Sequence, residues 1–198
     1  MMFKKVAIAA ATVAAGIGGL VAAPAVQAQD QFVPLLVYRT GQFAPLGIPW
    51  ADGKQDYIKL VNAKGGINGV KIAYEECETA YDTAKGVECY ERLKGKGGGA
   101  AGFDPQSTGI TFAVTDKAPG DKMPIITTGY GLSQSADGKV FEWNFPLLGT
   151  YWTAADTLVQ YVGKKEGGLA KLKGKKITLA YADHPYGKEP IAYLTEAS

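Results

Sequence analysis

Two short loops concentrate groups that can hold an anion: 104–108 (Asp-Pro-Gln-Ser-Thr) and 127–131 (Thr-Thr-Gly-Tyr-Gly). Backbone N–H groups at a helix start lack internal partners, and hydroxyls add donors. A carboxylate can therefore be gripped there without a full positive charge. Ser107 and Thr108 can equally serve only as caps for the helix that follows, which is the commoner role of such residues. Aromatic side chains accompany the loops. Phe43, Phe103, Tyr130 and Tyr186 could wall a few polar groups, the usual design of a small-molecule pocket. Phe103 fits core packing as well, whereas Tyr130 and Tyr186 stand beside glycine in turns.

Bond-making chemistry finds little support. His184 is the only histidine and sits in a turn beside Pro185. A secreted hydrolase would have to pair it with Ser107 or Ser133, yet no Gly-x-Ser-x-Gly elbow is present. The run Gly95-Lys96-Gly97-Gly98-Gly99 lacks the Gly-Lys-Ser/Thr ending of a phosphate loop and precedes a strand where that loop would precede a helix. No metal-ligand cluster is visible. Cys77 and Cys89 lack the further ligands that zinc requires. In an exported chain a disulfide between them is the default. Neither a catalytic residue nor a cofactor is expected.

The elements that must position these loops alternate between strand and helix. Residues 33–38 read as a strand. A helix over 46–63 follows, with Ile48, Tyr57, Ile58, Leu60 and Val61 on one broad face, and Gly65-Gly66 stops it. Asn68-Gly69 turns the chain into a strand over 70–75. Asp82 or Thr83 can cap a second helix. The short apolar run 100–103 suits a buried central strand. A third helix spans 107–116, and strands follow at 123–126 and 141–145. A helix over 150–165 leads to a strand at 176–181, a turn at 183–187 and a new helix from about Lys188. Such alternation argues for parallel βαβ units, a Rossmann-like α/β fold. In an open parallel sheet small ligands bind at the carboxyl ends of the strands. The loops to search are therefore 38–44, 104–108, 127–131 and 183–187, the first opening on Tyr38. The chain stops soon after its last strand, as a fragment ending just inside a second α/β domain would.

Residues 1–28 read as a secretory signal peptide. Lys4 and Lys5 precede an apolar run from Val6 to Ala25, and Val26-Gln27-Ala28 suits cleavage after Ala28. Absence of a following cysteine argues against a lipid anchor. Setting aside Lys4 and Lys5 leaves 19 basic residues against 19 acidic ones. A near-neutral chain without a basic stripe does not suit nucleic acid.

The sequence resembles the substrate-binding proteins of ABC transporters of the branched-chain amino acid type, a type I periplasmic-binding fold. The resemblance is carried by Asn62-Ala63-Lys64-Gly65-Gly66-Ile67-Asn68-Gly69, by the acidic end of the second strand with Cys77 and the helix from Asp82, by Met123-Pro124-Ile125-Ile126 before a polar loop, and by Asp183 through Tyr186-Gly187. It covers 33–187. It implies two Rossmann-like lobes that close over a ligand, with the first lobe over 29–146, a hinge crossing near 144–149, and the start of a second lobe over 147–198. It further implies that Gln106, Ser107, Thr128, Gly129 and Tyr130 take a ligand carboxylate and that Tyr186 lines the pocket. The implied partners are a small polar ligand and a membrane permease, and the implied location is the periplasm, as a monomer. A ligand-sensing domain of a regulator or chemoreceptor with the same fold is the alternative. Two departures point away from an aliphatic amino acid and toward a different amide, acid or aromatic compound. The first loop, Tyr38-Arg39-Thr40-Gly41-Gln42-Phe43, is bulky and charged, and the fourth-strand loop carries Tyr130-Gly131.

Overall fold

The computed structural model describes residues 29–129 and 131–196. The expected signal peptide and Tyr130 lie outside the described residues. No described helix is long and apolar enough to cross a membrane.

Strand β1 (Gln31–Val37) pairs in parallel with β2 (Ile72–Glu78), from Gln31 opposite Ile72 to Val37 opposite Glu78. Helix α1 (Ala44–Ala63) makes the crossover between them. The near-continuous apolar run of β1 is buried through Leu35, Leu36 and Val37, as in a strand covered on both faces. Helix α2 (Thr83–Leu93) follows, capped by the Asp82 carboxylate, which accepts from the Lys85 N–H. Helices α3 (Thr108–Thr115) and α4 (Ala118–Asp121) lead to β3 (Ile125–Thr127), which pairs in parallel with β4 (Asn144–Pro146). Helices α5 (Tyr151–Lys165) and α6 (Pro185–Glu196) complete the described elements.

Residues 100–103 lie between the two ladders but form only single parallel bridges, Phe32 to Ala100 and Phe103 to Ile125. The expected central strand is thus reduced to two contacts. Proline explains one side. Phe32 accepts from the Ala101 N–H. Pro34, two residues on and facing the same way, has no N–H to continue that ladder. The resulting order is β2, β1, residues 100–103, β3, β4, all parallel. Its direction reverses between β1 and residues 100–103, the switch point where such sheets open a crevice.

The block from Asn62 to Gly69 is a locked joint. The Asn62 side chain donates to the Ile72 carbonyl and accepts from the Ile72 N–H, both at 2.8 Å, so one amide clamps the end of α1 to the start of β2. Gly66 has φ +84°, and a Cβ there would lie 2.1 Å from the Val70 carbonyl oxygen. Only glycine fits this turn.

The core gathers Phe32, Leu36, Tyr90, Leu93, Phe103, Ile110, Val114 and Ile125. Phe103 packs edge-on against Tyr90 at 4.8 Å between centroids. Of the expected α1 face, Ile58 is buried while Ile48, Tyr57 and Leu60 are exposed. The helix turns its small residues Gly47 and Ala51 inward instead, because it approaches β1 closely: a Cβ on Gly47 would meet the Tyr38 carbonyl oxygen at 2.0 Å. The expected strand at 176–181 is not formed. It finds no partner among the described residues, and Ile177 and Tyr181 stay exposed.

Cys77 and Cys89 form a disulfide that joins β2 to α2 across a sequence separation of 12. Closing a loop of that length restricts the unfolded chain by about 3 kcal/mol. The Cys77→Ala, Cys89→Ala double variant should lose stability of that order in urea denaturation. An unchanged midpoint would show that the crosslink constrains nothing.

Candidate functional site

At the switch point four loop ends come together. Ser107 occupies the N-cap position of α3, yet its side chain makes no capping hydrogen bond. Ser107 and Thr108 are both fully buried, and neither hydroxyl has a hydrogen-bond partner. Buried polar groups are normally satisfied, so two adjacent exceptions at a helix start mark a place prepared for something else. The expected capping role of Ser107 is therefore not fulfilled.

Tyrosines cover these hydroxyls. Tyr81 follows β2 in a strained turn, with Ala80 at φ +49° and Tyr81 at φ +63°. The Thr79 hydroxyl holds that turn, accepting from the Tyr81 N–H while donating to the Val37 carbonyl. Burial pushes the Tyr81 hydroxyl up to about 12, partly offset by the nearby Ser107 hydroxyl and Thr108 N–H. Burial likewise raises the Tyr151 hydroxyl, partly offset by the Thr108 side chain. The tyrosine hydroxyls come near, but by distance and angle neither the Ser107 nor the Thr108 hydroxyl completes a hydrogen bond.

Rings converge above. Tyr81 touches Tyr38 at 5.1 Å, Phe43 at 4.5 Å and His184 at 4.8 Å, while Tyr186 lies 6.0 Å from Phe43 and 6.2 Å from Tyr151. The close approach of α2 to α3 depends on Gly109, and the turn before α6 packs over the same spot at ordinary contact distance. A Cβ there would sit 2.6 Å from the Thr83 hydroxyl and 3.5 Å from the His184 ring. Burial and the Lys188 charge lower the His184 pKa, favouring the neutral ring.

The residues singled out from sequence divide between two places. Tyr38 packs on Tyr81, Ser107 lies beside the Tyr81 hydroxyl, and Tyr186 joins the same ring cluster through Phe43. Gln106, at φ +60° and buried, donates to Asp104 at 2.5 Å beside them, and Asp104 also pairs with Lys54. Thr128 and Gly129 instead line an open groove of about 480 Å³ with Leu148, Gly149 and Thr153. Tyr130 lies outside the described residues. Phe103 belongs to the core. The charge of the first loop is consumed locally. Arg39 forks onto Glu76 at 2.7 and 3.1 Å and reaches Asp52 at 2.7 Å. Neither candidate serine is hydrogen-bonded to His184: the Ser107 hydroxyl has no partner, Ser133 donates to Glu189, and the His184 Nδ1 accepts from the Tyr186 N–H.

Glu189 ties α6 to the loop before β4. One carboxylate oxygen accepts from both the Ser133 N–H and hydroxyl, the other is buried without a partner, and the Trp152 indole donates to the Glu189 carbonyl at 3.1 Å. Burial raises the carboxyl above its usual 4.5, against the pull of Ser133. A raised folded value means the group supports folding fully below the unfolded pKa. That support is lost as pH rises from 4.5 through the folded value. Glu189→Gln keeps the acceptor for Ser133 and removes the charge. It should stabilise the protein above that window and leave it unchanged below, in urea titrations from about pH 4 to 8. A pH-independent difference would contradict this.

Tyr81 and Tyr151 were not singled out from sequence. The loop after β2 also ends at the carboxyl edge of the sheet, and that position alone was the available signal for Tyr81. Tyr151 reads only as the first residue of a helix.

Solved structures share this architecture. A crystal structure described as an ABC transporter permease from the Pseudomonas fluorescens group is 42% identical, with a TM-score of 0.74 over 85% of this chain and 41% of that one. A fatty acid ABC transporter substrate-binding protein from Thermomonospora curvata is 22% identical, with a TM-score of 0.63 over 85% of this chain and 41% of that one. LivJ from Streptococcus pneumoniae, a branched-chain amino acid substrate-binding protein in complex with isoleucine, is 20% identical, with a TM-score of 0.59 over 70% and 39%. The chain thus spans about two-fifths of the length of these relatives. No curated protein matches it. The family of periplasmic binding proteins matches residues 30–198. Parallel strands flanked by helices, the reversal of strand order beside the cleft and that match together establish that the chain belongs to the periplasmic binding protein family, with the type I fold of ABC-transporter substrate-binding proteins.

Proposed function

We propose that the protein is a periplasmic solute receptor that captures a small polar molecule between two lobes and delivers it to an ABC-transporter permease. The observation that carries this reading is the pair of buried, unpartnered hydroxyls on Ser107 and Thr108 at the start of α3. A ligand carboxylate would satisfy both and would also meet the free N–H groups of the first helical turn. In this reading Tyr38, Gln106 and Tyr186 line the same site. Thr128, Gly129 and Tyr130 would contact the ligand from the β3 side. In this reading residues 29–146 form the first lobe, the chain crosses a hinge near 144–149, and α5 and α6 belong to the second lobe. The disulfide suits the oxidising periplasm that an N-terminal export signal would deliver it to. The receptor works as a monomer and performs no chemistry.

The test is a thermal-shift screen of the full-length gene product against amino acids, amides, urea and aromatic acids. A ligand that binds only the native state raises the melting temperature by mass action. A shift that disappears in a Ser107→Ala, Thr108→Val variant is the expected result. No shift from any of these classes would overturn the reading.

A further inference from the structure

We infer that the ligand is an aromatic carboxylate, its ring held between two aromatic walls and its carboxylate seated on Ser107, Thr108 and the start of α3. This rests on the solute-receptor reading and narrows it. The rings fall into two groups that face each other. Tyr38, Phe43 and Tyr81 stand on the loops after β1 and β2. Tyr151, His184 and Tyr186 stand at the starts of α5 and α6.

The walls meet ring to ring: Phe43 with His184 at 6.4 Å, Phe43 with Tyr186 at 6.0 Å, and Tyr81 with His184 at 4.8 Å. Most of these contacts are steeply inclined, up to 87° between planes, the edge-to-face arrangement that aromatic rings prefer. When the walls part, each ring loses a partner whose edge and face a planar aromatic ligand reproduces and a saturated one does not. The floor beneath holds the two buried hydroxyls of Ser107 and Thr108, neither of which has a hydrogen-bond partner. The floor therefore suits an anion, and the walls suit a ring.

Isothermal titration of the full-length gene product with benzoate, phenylacetate, cyclohexanecarboxylate and L-leucine tests this. Benzoate or phenylacetate should bind about tenfold tighter than cyclohexanecarboxylate, the ratio that a favourable ring–ring pair supplies. Phe43→Leu, checked by its melting curve, should shrink that ratio. Equal or tighter binding of cyclohexanecarboxylate or L-leucine overturns the aromatic assignment and leaves the receptor standing. If none of the four binds but an amide or urea does, the assignment also falls alone. Failure of every class removes both.

Discussion

Replacing Ser107 by alanine and Thr108 by valine should make the unliganded protein more stable and at least about a hundredfold weaker in ligand binding. The two effects share one cause. Each hydroxyl is fully buried and makes no hydrogen bond. Leaving such a group unsatisfied costs about 1–3 kcal/mol. Removing it recovers part of that cost, and no cap is lost because Ser107 caps nothing through its side chain. A hydrogen bond to a charged group contributes about 1.5–3 kcal/mol, so two of them account for the lost affinity. Melting curves without ligand and titration with the best compound of the screen read the two arms separately. A destabilised variant that still binds would show that the hydroxyls only help to start α3.

Phe103→Ala should cost about 3–5 kcal/mol, a large share of the roughly 5–15 kcal/mol that holds a typical domain together. Phe103 is fully buried at the centre of the sheet, bridges to Ile125, and carries the Tyr90 ring against it. A cavity there would sit one residue before the loop that ends in Ser107. Tyr90→Phe provides the contrast. It keeps the ring and loses only the hydrogen bond from its hydroxyl to the Asp121 carboxylate at 2.8 Å, so it should cost about 1.5–3 kcal/mol. Urea unfolding of both variants checks the order. A Phe103→Ala loss no larger than that of Tyr90→Phe would mean that the core collapses around the vacancy.

Local rules made much of the first βαβ unit legible. The Asn62–Gly69 block announced the end of α1, and its clamp and left-handed glycine show why those residue types are needed. Asp82 was readable as a cap because its carboxylate bonds a neighbour three residues away. Whatever depended on partners distant in sequence was harder to read. Apolar content suggested a strand at 176–181, but a strand exists only where another offers its edge. The run 100–103 had the right composition, and a proline in β1 limited its pairing. The helical periodicity of α1 placed Tyr57 and Leu60 with Ile58, while the close approach of Gly47 to β1 turned the helix elsewhere. Within the site, Ser107 was visible as a hydroxyl at a helix start. Its lack of a partner was not, because that is a property of everything around it. Tyr81 escaped notice because two successive non-glycine residues in the left-handed region are set by the turn that Thr79 holds.

The pairing of charges around the cleft bears on how fast a ligand arrives. Arg39 is engaged by Glu76 and Asp52, Lys54 by Asp104, and Lys188 by Asp183. These three cations are thus each held by at least one anion at ion-pair distance, which weakens the pull they exert beyond about a Debye length. For the proposed receptor this would weaken long-range steering of an anion by these three groups, and discrimination would fall to the residence time, set by the hydroxyls and rings met after entry.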